Sequence, residues 1–140
     1  MSDAGTDPEG RARHPRNFSG TVLLLDTNAL MSPFQFNFNL DVKINEILPE
    51  AQAVVPTCVV RELKALAGKG SWKAKAALKL SEKYPLVIVK GIGDAPIFNL
   101  AVSKGWAVMT QDRGLRNQLL SRSVPVVFLR GLGRLEYQEP

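Results

Sequence analysis

The stretch "TVLLLDTNAL", residues 21–30, decides how this chain is read. A run of apolar, strand-forming residues passes directly into Asp26, and Thr27 and Asn28 follow it. "TVLLLD" reads as a short buried strand, because the run is continuous rather than alternating. A buried strand gains nothing from a carboxylate at its last position, so something must hold that charge or use it.

Working outward, the same pattern returns. "AQAVVP" (51–56), "LVIVK" (86–90), "WAVMT" (106–110) and "VPVVFL" (124–129) read as further strands. Helical spacing separates them. "DVKINEILPE" (41–50) offers Asp41 as an N-cap, and "TCVVRELKALAG" (57–68) offers Thr57 as a cap and Gly68 as a stop. "SWKAKAALKLSEKY" (71–84) is capped by Ser71 and ended before Pro85. "GDAPIFNLAVSKG" (93–105) carries Pro96 in its first turn, where proline is tolerated, and "DRGLRNQLLSRS" (112–123) is the last helix. "MSPFQFNFNL" (31–40) reads as a loop or a short helix. Strands that alternate with helices over short connections predict an α/β fold: a mostly parallel sheet of about five strands with helices on its faces.

The chain of 140 residues is long enough for one domain with a real core. No apolar run reaches the ~20 residues of a membrane helix, and no hydrophobic signal core opens the sequence. One cysteine, Cys58, rules out an intramolecular disulfide and a cysteine-based zinc cluster, and a reducing, cytoplasmic setting is expected. Residues 1–20 are rich in Gly, Pro and charge and read as a flexible tail; residues 21–131 form the domain and 132–140 a C-terminal extension. The only histidine, His14, lies in that tail, which argues against histidine-based catalysis. The net charge of +5 resides in residues 21–140, a basic balance compatible with a polyanionic partner.

In a parallel α/β sheet, ligands gather outside the carboxyl ends of the strands. Asp26 closes the first strand, Glu62 sits on the second turn of the helix after the second, Asp94 follows the third, and Asp112 follows the fourth by two residues. Four carboxylates from four successive strand-to-helix junctions therefore converge on one edge. Such acids repel one another and raise each other's pKa unless a cation neutralises them. Magnesium or manganese, which prefer oxygen ligands, would do so. Each acid also has a plainer reading: Asp94 and Asp112 as helix caps, Glu62 as a solvated helix residue. Asp26 is the hardest to explain that way.

"LLLDTNALMSPFQF", "VVPTCVVRELKAL", "GDAPIFNLA" and "WAVMTQDRGLRNQL" resemble, in order, the sequence blocks of the PIN-domain nucleases. The resemblance spans about residues 21–130. It implies a parallel α/β/α sandwich and magnesium- or manganese-dependent hydrolysis of RNA phosphodiesters. It also implies catalytic and metal roles for Asp26, Glu62, Asp94 and Asp112, with Thr27, Asn28 and Thr110 as supports. The wording of "DTNALMSPFQF" is closer to archaeal proteins similar to the small-subunit ribosomal RNA processing branch than to typical VapC toxins. The chain departs from the family pattern at Gly93, where many relatives carry a second acid, at Gly114, where some do, and at Pro96, unusual so early in its helix.

A basic rim would hold RNA beside an acidic pocket. Lys64, Lys69, Arg113 and Arg116 are its candidates, whereas Lys75, Lys79 and Lys83 share a helical face that reads first as a solvated one. Trp72 and Trp106 read as core residues before stacking platforms. Phe34, Phe36 and Phe38 suggest a partner or homodimer surface. Three functions follow: a metal-dependent endoribonuclease acting in ribosomal RNA processing or as a VapC-type toxin; an RNA-binding assembly module without chemistry; and a phosphorylatable receiver. The receiver ranks last, because its acid pair and its lysine after the last strand are not evident.

Overall fold

The computed structural model describes residues 20–131 and 133–140; the tail read at residues 1–20, with His14, lies outside the described residues apart from Gly20. Twelve elements follow one another among them. They are β1 (Val22–Leu25), α1 (Thr27–Phe36), α2 (Leu40–Ile47), β2 (Gln52–Pro56), α3 (Thr57–Gly68), α4 (Trp72–Ser81), β3 (Leu86–Val87), α5 (Ala95–Lys104), β4 (Ala107–Met109), α6 (Arg113–Ser121), β5 (Val126–Arg130) and β6 (Arg134–Gln138). The strands join in one sheet of order β3-β2-β1-β4-β5-β6, parallel except for the final antiparallel pair. β1 and β4 are buried at every position, as strands covered on both faces must be. α1, α3 and α4 pack together, and α5 packs on α6. This is the expected α/β sandwich.

The chain winds outward from β1 through β2 to β3, then returns to β4 on the other side of β1. β1 and β4 therefore flank the point where the winding reverses, the place where such sheets open a crevice. The register sets what faces that crevice. Leu25 lies opposite Met109, and the Asp26 N–H donates to the Met109 carbonyl at 3.3 Å. Continuing by one pair brings Asp26 beside Thr110.

Several local expectations are corrected. The segment after Asp26 is a full helix despite Pro33. Pro33 lacks the N–H that would reach the Ala29 carbonyl, and the Ser32 hydroxyl donates to that carbonyl instead, at 2.7 Å. The cap of α2 is Asn39, whose Oδ1 accepts the Val42 N–H at 3.1 Å, and not Asp41. Thr57 does not cap α3. Its hydroxyl donates to the Val89 carbonyl and accepts the Val89 N–H, both at 3.0 Å. Val89 is thus committed to a side chain, and the strand expected over 86–90 is only Leu86–Val87. "RLEYQ" is not an appendage but β6, pairing with β5 from Val126↔Gln138 to Arg130↔Arg134. Trp72 is 62% exposed, because Ala74 and Ala77 form the buried side of α4 and a residue two positions before Ala74 points away. Trp106 packs against the core, as do the half-buried Phe34, Phe36 and Phe38.

Candidate functional site

A cavity of about 90 Å³ opens at the β1/β4 crevice, lined by Asp26, Thr27, Asn28, Cys58, Val59, Glu62, Gly93, Asp94, Ile97 and Asp112. The fold thus gathers the four carboxylates singled out in the sequence from four separate junctions. Asp26 forms the floor, only 8% exposed, while Glu62, Asp94 and Asp112 are exposed at the rim.

Each acid is placed by the start of a helix or by its first turns. β1 passes into α1 through Asp26 alone, and Asp26 Oδ1 accepts the Ala29 N–H at 2.7 Å. Asp112 caps α6 in the same way, accepting the Leu115 N–H at 3.0 Å. Asp94 stands at the N-cap of α5 without making a side-chain cap bond. Capping and cation binding are not alternatives, since a carboxylate has two oxygens. Three helix N-termini point their positive ends at this cavity, which makes a cluster of negative charge tolerable there. Glu62 reaches the cluster from the second turn of α3, and the Thr27 hydroxyl donates to its Oε1 at 2.7 Å. The Thr110 hydroxyl hydrogen-bonds the Asp26 carboxylate and accepts the Asp112 N–H at 3.2 Å. Thr27 and Thr110 thereby hold three of the four acids in place. Asn28 lines the cavity.

Burial pushes the Asp26 carboxyl up to about 6, against the bonds from Thr110 and Ala29, and the nearby Asp94 and Glu62 add to the rise. Asp94 is also raised, by partial burial and by Asp112 and Glu62. Burial pushes the Cys58 thiol up as well, which suits a packing residue rather than a nucleophile. Among the described residues no lysine or arginine lines this cavity, so its lining carries acids without a basic side chain.

That deficit, with oxygen donors only at its acidic rim, fits a hard divalent cation. Among the described residues, no three His, Cys, Asp or Glu side chains are gathered tightly enough to ligate one ion by themselves. Magnesium usually binds proteins through one or two carboxylates and keeps its remaining waters, so the donor set fits a hydrated ion.

The two glycine departures have physical reasons. Gly93 adopts φ +79°, a left-handed backbone that an Asp or Glu side chain would strain. A Cβ on Gly114 would stand 3.3 Å from Asp112 Oδ1, crowding the oxygen that caps α6.

The basic candidates divide. Lys64 and Lys69 line neither this cavity nor its neighbour, and Lys69 lies seven residues beyond Glu62, about 10 Å along α3. Arg113 and Arg116 line a second cavity, of about 610 Å³, on the other side of the first turn of α6. Arg130 and Phe128 line it too. Sequence reasoning passed over both, because they reach it only through the pairing of β5.

A family model described as "PIN like domain" matches residues 23–132. Ribonuclease VapC9 of Archaeoglobus fulgidus is 28% identical over 119 residues, covering 82% of this chain and 87% of that protein. The structure of the PIN domain endonuclease Utp24 superposes with a TM-score of 0.72 at 17% identity, covering 85% of this chain and 92% of that one. No helix among the described residues is long and apolar enough to cross a membrane.

Proposed function

We propose, from the premise that this chain belongs to the PIN-like domain family, that it is a magnesium- or manganese-dependent endoribonuclease. The observation that carries the reading is the acidic cavity at the β1/β4 crevice, with a buried Asp26 at its floor and, among the described residues, no lysine or arginine in its lining. The ribonuclease named among the relatives supports RNA as the substrate.

Asp26, Glu62, Asp94 and Asp112 would hold the cation, which when bound supplies an activated water and neutralises charge on the phosphate. The chain's own residues prepare that chemistry. The Thr27 hydroxyl fixes Glu62 and the Thr110 hydroxyl ties Asp26 to the Asp112 backbone, so the donors are oriented before substrate arrives. Asp26 is the least hydrated of the four, so its charge acts at closer to full strength than that of the rim acids. Substrate enters from the rim, where Glu62, Asp94 and Asp112 are exposed.

Processing of a ribosomal RNA precursor and toxin-type cleavage are two settings for the same chemistry, and a cytoplasmic location and a homodimer suit both. An RNA-binding assembly module is the second reading, favoured by Gly93 and Gly114, where further acids are absent. The test is incubation of labelled single-stranded and precursor ribosomal RNA with manganese, then with EDTA, beside Asp26→Asn. Internal cleavage that needs the metal and is lost in the variant supports the nuclease. Binding without cleavage in every condition favours the assembly module.

A further inference from the structure

We propose that Arg113, Arg116 and Arg130 form an anion subsite for the RNA phosphodiester next to the one being cleaved. The inference rests on the ribonuclease reading above. It begins from the 610 Å³ cavity between α6 and the β5–β6 pair, whose walls carry the three arginines and Phe128. The Arg116 guanidinium lies 4.1 Å from the centre of the Phe128 ring, and that of Arg130 lies 5.6 Å from it. One aromatic ring thus orients two guanidinium groups, and stacking leaves their N–H edges available for oxygen acceptors.

Among the described residues, no carboxylate lines this cavity to balance the three arginines. Arg116 Nε is a buried donor with no hydrogen-bond partner, and no other buried side-chain nitrogen or oxygen among the described residues is so placed. Among those residues neither Arg113 nor Arg116 makes an ion pair, while Arg130 pairs with Glu136. Gln111 adds no acceptor, because its amide group is engaged with the Leu129 N–H and carbonyl. A concave, net-positive surface with an unsatisfied guanidinium donor matches a phosphate, whose oxygens accept from the arginine fork.

Its position relative to the acidic cavity makes the phosphate a neighbouring one. Asp112 lines the acidic cavity and Arg113 the basic one, and the Arg116 N–H donates to the Asp112 carbonyl at 2.9 Å. One turn of α6, about 5.4 Å, therefore carries the surface from carboxylate to guanidinium. That step is comparable to the spacing of successive phosphates in a single strand. A strand with one phosphate over the acids would lay the next against the arginines.

The test is anisotropy of a fluorescein-labelled single-stranded octaribonucleotide bound to the full chain in EDTA, where no cleavage intrudes. Arg116→Gln and Arg130→Gln are each expected to weaken binding about tenfold and to lower the salt slope by about 0.7 per lost contact. Arg116→Lys should keep the slope but lose affinity, because it retains charge without the fork. Lys79→Gln, on α4, should change neither. Melting curves establish that the variants fold. Folded arginine variants with unchanged affinity and slope overturn the subsite, as does stronger competition by an acidic peptide than by unlabelled RNA. Weakened binding in those variants, alongside no manganese-dependent cleavage by the parent, sustains the subsite and overturns the nuclease reading instead.

Discussion

Two aspartates in this chain live at opposite edges of the same sheet and have opposite fates. Asp41 lies near the amino ends of β2 and β3, where it accepts from Lys83 Nζ and from the Tyr84 hydroxyl at 2.6 Å. Burial alone would raise its carboxyl, but the Lys83 and Tyr84 bonds outweigh burial and hold it below the usual range. Asp26, at the carboxyl edge, has more burial to offset, a threonine and a backbone amide for partners, and other acids for neighbours. The first carboxylate is balanced by a lysine; the second, among the described residues, has only acids for charged neighbours. On the function proposed above, what separates the structural acid from the functional one is what balances its charge, since both are aspartates.

The comparison is broken most sharply at Asp26. Asp26→Asn should lower RNA cleavage by on the order of 10² to 10³, read from initial rates with manganese. The same variant should stabilise the metal-free protein. Asp26 ionises about two units higher in the folded chain than its ordinary value of 3.8, so between roughly pH 4 and pH 6 the folded state holds a proton the unfolded state has lost. Its contribution to stability is therefore full below that range and lost as pH rises through about 6. The loss is on the order of 3 kcal/mol, the equivalent of the two units. Denaturant melts in EDTA should show Asp26→Asn more stable than the parent at pH 8, with the gap closing by pH 5.

Thr27→Ala removes the hydroxyl that holds Glu62 and should cost about 10- to 100-fold in activity or metal affinity, with Thr27→Ser recovering most of it. The smallest effect is expected at the satisfied edge. Asp41→Asn should destabilise the fold by about 1 kcal/mol, since it breaks a solvent-exposed ion pair and weakens one hydrogen bond, and should leave cleavage unchanged.

The contrast also explains what the sequence disclosed. Apolar runs between turn and helix signals are local, so β1, β2, β4 and β5 were legible, and so were the four carboxylates at the junctions that follow β1, β2, β3 and β4. Pro33 hid the extent of α1, because its compensation by Ser32 is a side-chain bond that no propensity reports. β6 was passed over as an extension, since "RLEYQ" has one buried residue, Leu135, and gains its order from pairing with β5. Trp72 was misjudged because aromatic character outweighed helical phase. The Thr27–Glu62 bond joins residues 35 apart, and the Arg116–Phe128–Arg130 stack joins α6 to β5. Both exist only once the sheet has formed, so no reading of spacing could have supplied them.

The central claim is that the charge at Asp26 awaits a divalent cation, and calorimetric titration of manganese into the metal-free protein tests it most directly. Run at pH 6 in two buffers of different ionisation enthalpy, it should show binding that releases about half a proton, because Asp26 is then half protonated. The release should shrink toward zero by pH 8, and Asp26→Asn should bind far more weakly. Absence of binding, or binding without proton release and indifferent to Asp26→Asn, would contradict the account.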